Sequence, residues 1–197
     1  MRMPFDAMED LPDDALLARF AEGDAMAARI LTLRLTPRVM AHGYRLLGNR
    51  TEAEDVAQEA LLRLWRQAPE WRPGEAKVST WLYRVVANLC IDRRRRARGG
   101  NLPLEAIPEP EDGQASAAEQ MQDRARADAL QSALDQLPER QRQAVVLRHI
   151  EGLANPDIAD IMDVTVEAVE SLTSRGKRAL SALLAGRQEE LGYVDER

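Results

Sequence analysis

The sequence predicts an all-α protein: two small helical domains joined by a flexible acidic linker, the second carrying a helix-turn-helix. Three observations predict it. Apolar residues recur at helical spacing along the chain, and strand signals are absent. The stretch Gly99 to Gln114, GGNLPLEAIPEPEDGQ, gathers three prolines, three glycines and four acids. Proline removes an amide donor and glycine costs backbone entropy, so neither suits a helix interior. Near the C-terminus, a short apolar-patterned segment, a three-residue turn and a longer polar-faced segment follow one another. The domains are therefore residues 1–98 and 116–197, with a linker at 99–115. Each is small, so each core is modest.

In the first domain, Asp13-Asp14 can cap an opening helix that runs to about Glu22. Gly23-Asp24 begins the next, with Ile30, Leu31 and Leu35 on one side. Pro37 can start a further segment running toward Leu47, and Gly48-Asn49-Arg50 is a turn. Thr51 followed by Glu54 has the form of a capping box. The helix after it sets Val56, Ala60, Leu61, Leu64 and Trp65 at helical spacing, until Pro69 to Gly74 breaks it. Ser79 or Thr80 opens the last helix, with Leu82, Val85, Val86, Leu89 and Ile91 facing a core and RRRRAR at its end.

The second domain begins with a polar helix from about Ser116 to Leu137. Pro138 starts another, with Ala144, Val145, Leu147 and Ile150 inward, closing at Gly152. Asn155 can cap the short helix of the helix-turn-helix, with Pro156 at the first helical position, and the helix holds Ile158, Ala159, Ile161 and Met162. Asp163-Val164-Thr165 is the turn, and the longer helix turns Val166, Val169, Leu172, Leu180 and Leu183 inward. In such a motif the second helix carries the base-reading side chains.

Composition narrows the function classes. Net charge is −6, which excludes a uniformly basic nucleic-acid binder but not a local basic patch. By segment, residues 1–28 carry −5, 62–98 carry +7, 99–123 carry −6 and 174–187 carry +4. The alternation follows the segment boundaries, which singles the two basic stretches out from ordinary solvated faces. One cysteine, Cys90, excludes a disulfide framework and any Cys-rich zinc site. Cys90 reads as a small core residue, and His42 and His149 as ordinary helix residues, so no metal and no cofactor is expected. No apolar run is long enough to span a membrane and no signal pattern opens the chain, so the expected location is the cytoplasm. No Gly-rich phosphate loop, nucleophile elbow or metal cluster supports an enzyme.

Four blocks then carry a resemblance: EAEDVAQEALLRLWR (Glu52–Arg66), STWLYRVVANLCIDRRRR (Ser79–Arg96), LPERQRQAVVLRHIEGL (Leu137–Leu153) and the helix-turn-helix. In this order, with an acidic linker between, they resemble the extracytoplasmic-function (ECF) sigma factors, the two-domain initiation subunits of bacterial RNA polymerase. The resemblance implies promoter recognition and melting in complex with core polymerase, often in a stress response and under the control of an anti-sigma factor. By the same resemblance, Asp55, Gln58 and Glu59 fall in the block that docks on the clamp helices of the polymerase's largest subunit. Trp71 falls near an aromatic beside the −10 element; it either packs its loop or holds an extruded base. Asn88 matches an asparagine that reads that base, with a donor and an acceptor to offer. Arg93, Arg94, Arg95 and Arg96, with Arg98, would contact −10 DNA, some of them through phosphate. Four consecutive positions cover every side of a helix, so not all meet one strand. Trp65 and Trp81 read as core.

For the −35 element, the resemblance implies Arg148, and Ser171, Ser174, Arg175, Lys177 and Arg178 on the recognition helix. Ser171, Ser174, Arg175 and Arg178 share a face, and Lys177 lies off it. The helix departs from the family pattern T-V-K-S-R-L-x-R-A-R: Glu170 and Leu172 stand at basic positions. Glu170 would repel phosphate or accept from a cytosine amine. Gly176 inside the helix costs up to about 1 kcal/mol against Ala and either permits close backbone approach or softens the helix. The linker acids Glu105, Glu109, Glu111 and Asp112 either mimic nucleic-acid charge in a polymerase channel or form a solvated tether. Two other readings compete. A stand-alone helix-turn-helix regulator would bind duplex without polymerase. A sigma mimic would titrate an anti-sigma factor and leave DNA alone.

Overall fold

The structure, a computed structural model, describes residue 8 and residues 10–72, 74, 76–99 and 117–185. Linker positions 100–115, with their four acids, lie outside the described residues. The chain divides into two compact units, Met1–Tyr44 with Arg50–Leu102 and Arg45–Asn49 with Pro103–Arg197. Every regular element among the described residues is helical.

The first unit holds α1 (Asp13–Ala21), most of α2 (Ala25–Leu47), α3 (Arg50–Gln67), a short 3-10 turn (Ala68–Glu70) and α4 (Val78–Gly99). Asp24 begins α2 as expected: its Oδ1 accepts the amides of Met26 at 2.9 Å and Ala27 at 3.2 Å. Four helix starts differ from expectation; one is α4, which begins at Val78, so Ser79 and Thr80 already lie in its first turn. Pro12 is the N-cap of α1, so Asp13 and Asp14 lie inside its first turn, where they meet the positive end of the helix dipole. α3 starts at Arg50, so Thr51 is already helical, and Glu54 accepts from Arg50 Nε at 3.2 Å. Pro37 lies inside α2 and starts nothing. The hydrogen bond it forfeits would have reached the carbonyl of Leu33, a residue 61% exposed, so water can replace it.

α3 packs on α4. The inner face of α3 is made largely of small residues: Ala53, Val56, Ala57 and Ala60 are all buried, with Leu64. On α4 the buried row is Val78, Leu82, Val86 and Cys90, four residues apart, with Tyr83 and Ala87 beside it. Ile91 lies about 100° around the helix from Cys90 and is 38% exposed, so it does not face the core. Trp65 stacks on Phe20 with ring centroids 4.8 Å apart.

The second unit holds α5 (Ala117–Gln136), α6 (Glu139–Val145), α7 (Asn155–Met162) and α8 (Val166–Ala185). α6 continues into a widened turn over Val146–Ile150, in which the amide of Glu151 reaches the carbonyl of Val146 at 3.0 Å. Gly152 (φ +72°) ends it. α7 and α8 form the expected helix-turn-helix. Asp163 adopts a left-handed conformation (φ 53°) at the turn, and Thr165 Oγ1 accepts the amide of Ala168 at 3.3 Å to start α8. The N-cap of α7 is Ala154, with extended backbone, so Asn155 is the first helical residue and not the cap. The apolar face of α8 buries Val169 and leaves Leu183 36% exposed, contrary to the expectation for that leucine.

α8 packs against α6, α7 and α5. Gly176 sits at the crossing with α6. A Cβ there would lie 2.6 Å from Val145 Cγ2 and 3.1 Å from the Gln141 carbonyl oxygen. Close approach is therefore the reason for this glycine. Gly176→Ala gains up to about 1 kcal/mol in helix propensity but forces apart a stiff β-branched side chain and a backbone oxygen, at about 1–3 kcal/mol. We expect a net loss of stability, read as a lower denaturation midpoint, whereas Ala at the exposed Ser181 of the same helix leaves stability within about 0.5 kcal/mol.

Candidate nucleic-acid interface

On α3, Asp55, Gln58 and Glu59 project from one side because they stand three and four residues apart. The same spacing turns Val56 and Ala60 inward. An open groove of about 430 Å³ runs along this side. Asp55, Gln58 and Glu59 line one edge and Leu89, Arg93 and Arg96 of α4 the other, with Leu62 between, 43% exposed. Ion pairs cross and flank the groove. Arg93 Nη1 donates to Asp55 Oδ2 at 3.2 Å, and Arg63 Nε donates to Glu59 Oε1 at 2.8 Å. The Arg63 hydrogen bond, aided by the charges of Arg63 and Arg66, holds the Glu59 carboxyl below the usual range.

The arginine run divides as four successive helical positions must. Arg93 and Arg96 line the groove. Arg95 turns out to solvent, where its Nη2 donates to Asp92 Oδ1 at 3.1 Å. Arg94 is half-buried. Arg98 lies on α4, but its side chain is outside the described set. Asn88 is exposed, on a stripe with Arg84, Ile91 and Arg95 at four- and three-residue spacing. Trp71 is half-buried: its ring meets Trp81 edge-on, with centroids 6.1 Å apart. Its indole N–H is enclosed with no hydrogen-bond partner among the described residues. Of the two readings of Trp71, loop packing therefore has a contact to show.

In the second unit, Arg148 lies in the widened turn and is exposed, with Nη1 donating to the Leu153 carbonyl at 2.8 Å. Ser171, Ser174, Arg175, Lys177 and Arg178 are all exposed on α8. Lys177, placed off the face by its spacing, joins the others in solvent because the buried stripe of α8 is narrow. Arg175 Nε donates back to the Ser171 carbonyl at 3.3 Å. Leu172 is half-buried, so its departure from the family pattern is a packing matter. Glu170 is exposed and faces the start of α7, with Asn155 Nδ2 3.5 Å from its Oε1. Among the described residues, no three His, Cys, Asp or Glu side chains gather as a metal site needs, and no helix is long and apolar enough to cross a membrane.

Two family models match in order along the chain: Sigma-70 region 2 over residues 31–99, and Sigma-70 region 4 over residues 127–180. The ECF RNA polymerase sigma factor SigM of Mycobacterium tuberculosis (strain H37Rv) is 34% identical over 183 residues, covering 91% of this chain and 88% of SigM. The chain belongs to the ECF RNA polymerase sigma factors. SigE of Mycolicibacterium smegmatis is 38% identical over 157 residues, which are 78% of this sigma factor and 60% of SigE. The solved structure of CnrH, in complex with the cytosolic domain of CnrY, is similar with a TM-score of 0.63 at 26% identity, covering 88% of this chain and 97% of CnrH.

Region 2 of the sigma factor thus holds the α3–α4 groove, and region 4 the helix-turn-helix. Leu62 and Asp92 line the groove without having been singled out by the sequence, and two arginines, one of the groove and one of the stripe, escaped it as well. Arg63 pairs with Glu59 and is signalled by i,i+4 spacing. Arg84 precedes Asn88 by one turn on the same exposed stripe. His149, exposed beside Arg148, has its pKa lowered by desolvation first and then by the charges of Lys177 and Arg148. Its ring protons should titrate by NMR below the ordinary 6.5. Lys177→Met should raise the midpoint only partway, because burial is the larger cause. A folded-state pKa below the unfolded one means the unfolded chain binds the extra proton, so this histidine's contribution to stability is complete above pH 6.5 and falls away as pH drops.

Proposed function

We propose that this sigma factor docks on the clamp helices of core RNA polymerase through Asp55, Gln58 and Glu59 of α3. In this reading, residues 1–98 form the polymerase-binding and −10 domain, 99–115 the acidic linker and 116–197 the −35 domain. Asn88, Trp71 and Arg93–Arg96 engage the −10 element, and Arg148, Ser171, Ser174, Arg175, Lys177 and Arg178 the −35 element. The observation that carries the reading is the α3–α4 groove, which sets the acids of α3 against the arginines of α4. Helix packing fixes the two faces relative to each other, so a partner that seizes the acids orients the arginines.

The chemistry is exchange of pairings. Asp55 and Arg93 satisfy each other at 3.2 Å in the free chain. A basic polymerase surface takes Asp55, and Arg93 becomes available to phosphate. Asp55 is exposed and Arg93 half-buried in an open groove, so the pair is worth at most about 1 kcal/mol and yields readily. On DNA, the arginines give affinity by counterion release, and Asn88 supplies an amide for base reading. Trp71 then offers a ring face once it leaves Trp81. The protein performs no reaction of its own and acts in the cytoplasm. A separate anti-sigma protein holds it inactive, a reading supported by the CnrH relative, solved with the cytosolic domain of CnrY bound.

Run-off transcription over a pool of promoter fragments, with core polymerase alone and with this protein added, tests the reading. Specific transcripts are expected only with the protein; their absence despite binding to core would point to a mimic. Asp55→Ala should weaken binding to core by on the order of tenfold, about 1.4 kcal/mol, in a fluorescence titration. Changing Arg93, Arg94, Arg95 and Arg96 to Gln should flatten the salt dependence of promoter binding by about 0.7–0.9 in log–log slope for each phosphate that is no longer neutralised. An unchanged slope removes those residues from the interface.

A further inference from the structure

We propose that Glu170 is a base-specificity residue that selects cytosine in the −35 element, with Asn155 as its positioning residue. The inference rests on the reading that α8 faces DNA. Glu170 lies early in α8, the part of a recognition helix that comes closest to base edges. It is exposed one turn before Ser174 and two before Lys177, at the edge of the face that presents Ser171, Arg175 and Arg178. No Lys or Arg among the described residues pairs with it. Its one described contact is Asn155 Nδ2, 3.5 Å from Oε1, which leaves Oε2 for a ligand.

A bare carboxylate on a helix that faces a polyanion is repelled by phosphate, so its place must be a base edge that offers a donor. The major groove has two such groups, the cytosine N4 amine and the adenine N6 amine. Adenine sets its N7 acceptor beside the amine, where a carboxylate with no proton to give meets repulsion. Cytosine offers the amine without that acceptor. Asn155 comes from α7, the other helix of the motif, and turns the carboxylate away from free rotation on the α8 surface. Both α7 and α8 are held by the same core, through Ile158, Ile161 and Val169.

The test uses holoenzyme assembled from core polymerase and the full chain, transcribing a promoter library randomised across the −35 element. Wild type should favour cytosine at one position, on one strand, by on the order of tenfold over the other bases. Glu170→Ala should abolish that preference at that position alone. Glu170→Gln, which gains a donor for N7, should shift it to adenine. Asn155→Ala should reduce the discrimination with an unchanged thermal midpoint, which a purely structural role would not produce. The proposal is overturned if wild type shows no cytosine preference. It is equally overturned if Glu170→Ala raises transcription from every sequence alike, the signature of simple phosphate repulsion. Arg175→Ala and Arg178→Ala separate the two levels. If they leave −35 dependence untouched, α8 does not face DNA and the inference falls with that reading; if they weaken it while Glu170 variants keep the wild-type preference, only the inference falls.

Discussion

The crossing of α8 over α6 at Gly176 is the contact on which the helix-turn-helix unit depends. A recognition helix must keep its polar side free, so it can be fixed only through its inner side. That side of α8 offers one fully buried aliphatic residue, Val169, and then the bare glycine backbone against Val145 and Gln141. Close approach replaces side-chain bulk: dispersion attraction acts along the two backbones, where a larger residue would hold them apart. The first unit uses the same device differently. Ala53, Ala57 and Ala60 thin the buried face of α3, and Ala53 lies in close contact with Gly43 of α2, 3.5 Å from where a Cβ on that glycine would stand. Small units have little interior to fill, and short side chains at the crossings concentrate what burial there is.

Rigid crossings matter because the outer faces are made of exchangeable charge. Asp55, Glu59, Asp92, Arg63, Arg93 and Arg95 are tied to one another by three exposed ion pairs. None of these contributes much to the fold. They keep both signs locally neutralised, and in the proposed reading a partner with a fixed field displaces one member. Of the three, Asp55–Arg93 joins neighbouring helices, so displacement of one member changes the charge that the other presents.

Helix identity, the helix-turn-helix and the candidate faces were legible because each rests on local spacing. Asp24 begins its helix through amides within three residues, whereas Asp13, Thr51 and Asn155, read as caps on equally local grounds, lie inside their helices. The rest of what escaped depends on groups far apart in sequence or on solvent. The Asp55–Arg93 pair joins residues 38 apart. Trp71 on Trp81 needs the loop between them to fold back. Pro37 looked like a boundary, and it is tolerated because Leu33 faces water. Ile91 and Leu183 are apolar residues one step around the helix from the buried row, a distinction that periodicity blurs when the core is narrow. Gly176 left two readings open in the sequence; only the distance to Val145 chose between them.

The weakness of the exposed pairs bears on where binding energy comes from. In the proposed reading, breaking Asp55–Arg93 offsets part of what the pairings with polymerase and phosphate gain, so the net electrostatic gain is on the order of 1 kcal/mol. The larger part of the affinity for core polymerase would then come from apolar area, which the groove offers in Leu62 and the half-buried Leu89, both set among the charges. Affinity for DNA comes from released counterions, which any sequence provides. In the proposed reading, specificity is left to the few groups that would meet base edges at fixed geometry, and these stand on α4 and α8. A side chain can read a base only as sharply as its helix is placed, so in that reading the buried alanines of α3 and Gly176 of α8 set the precision of the exposed groups around them.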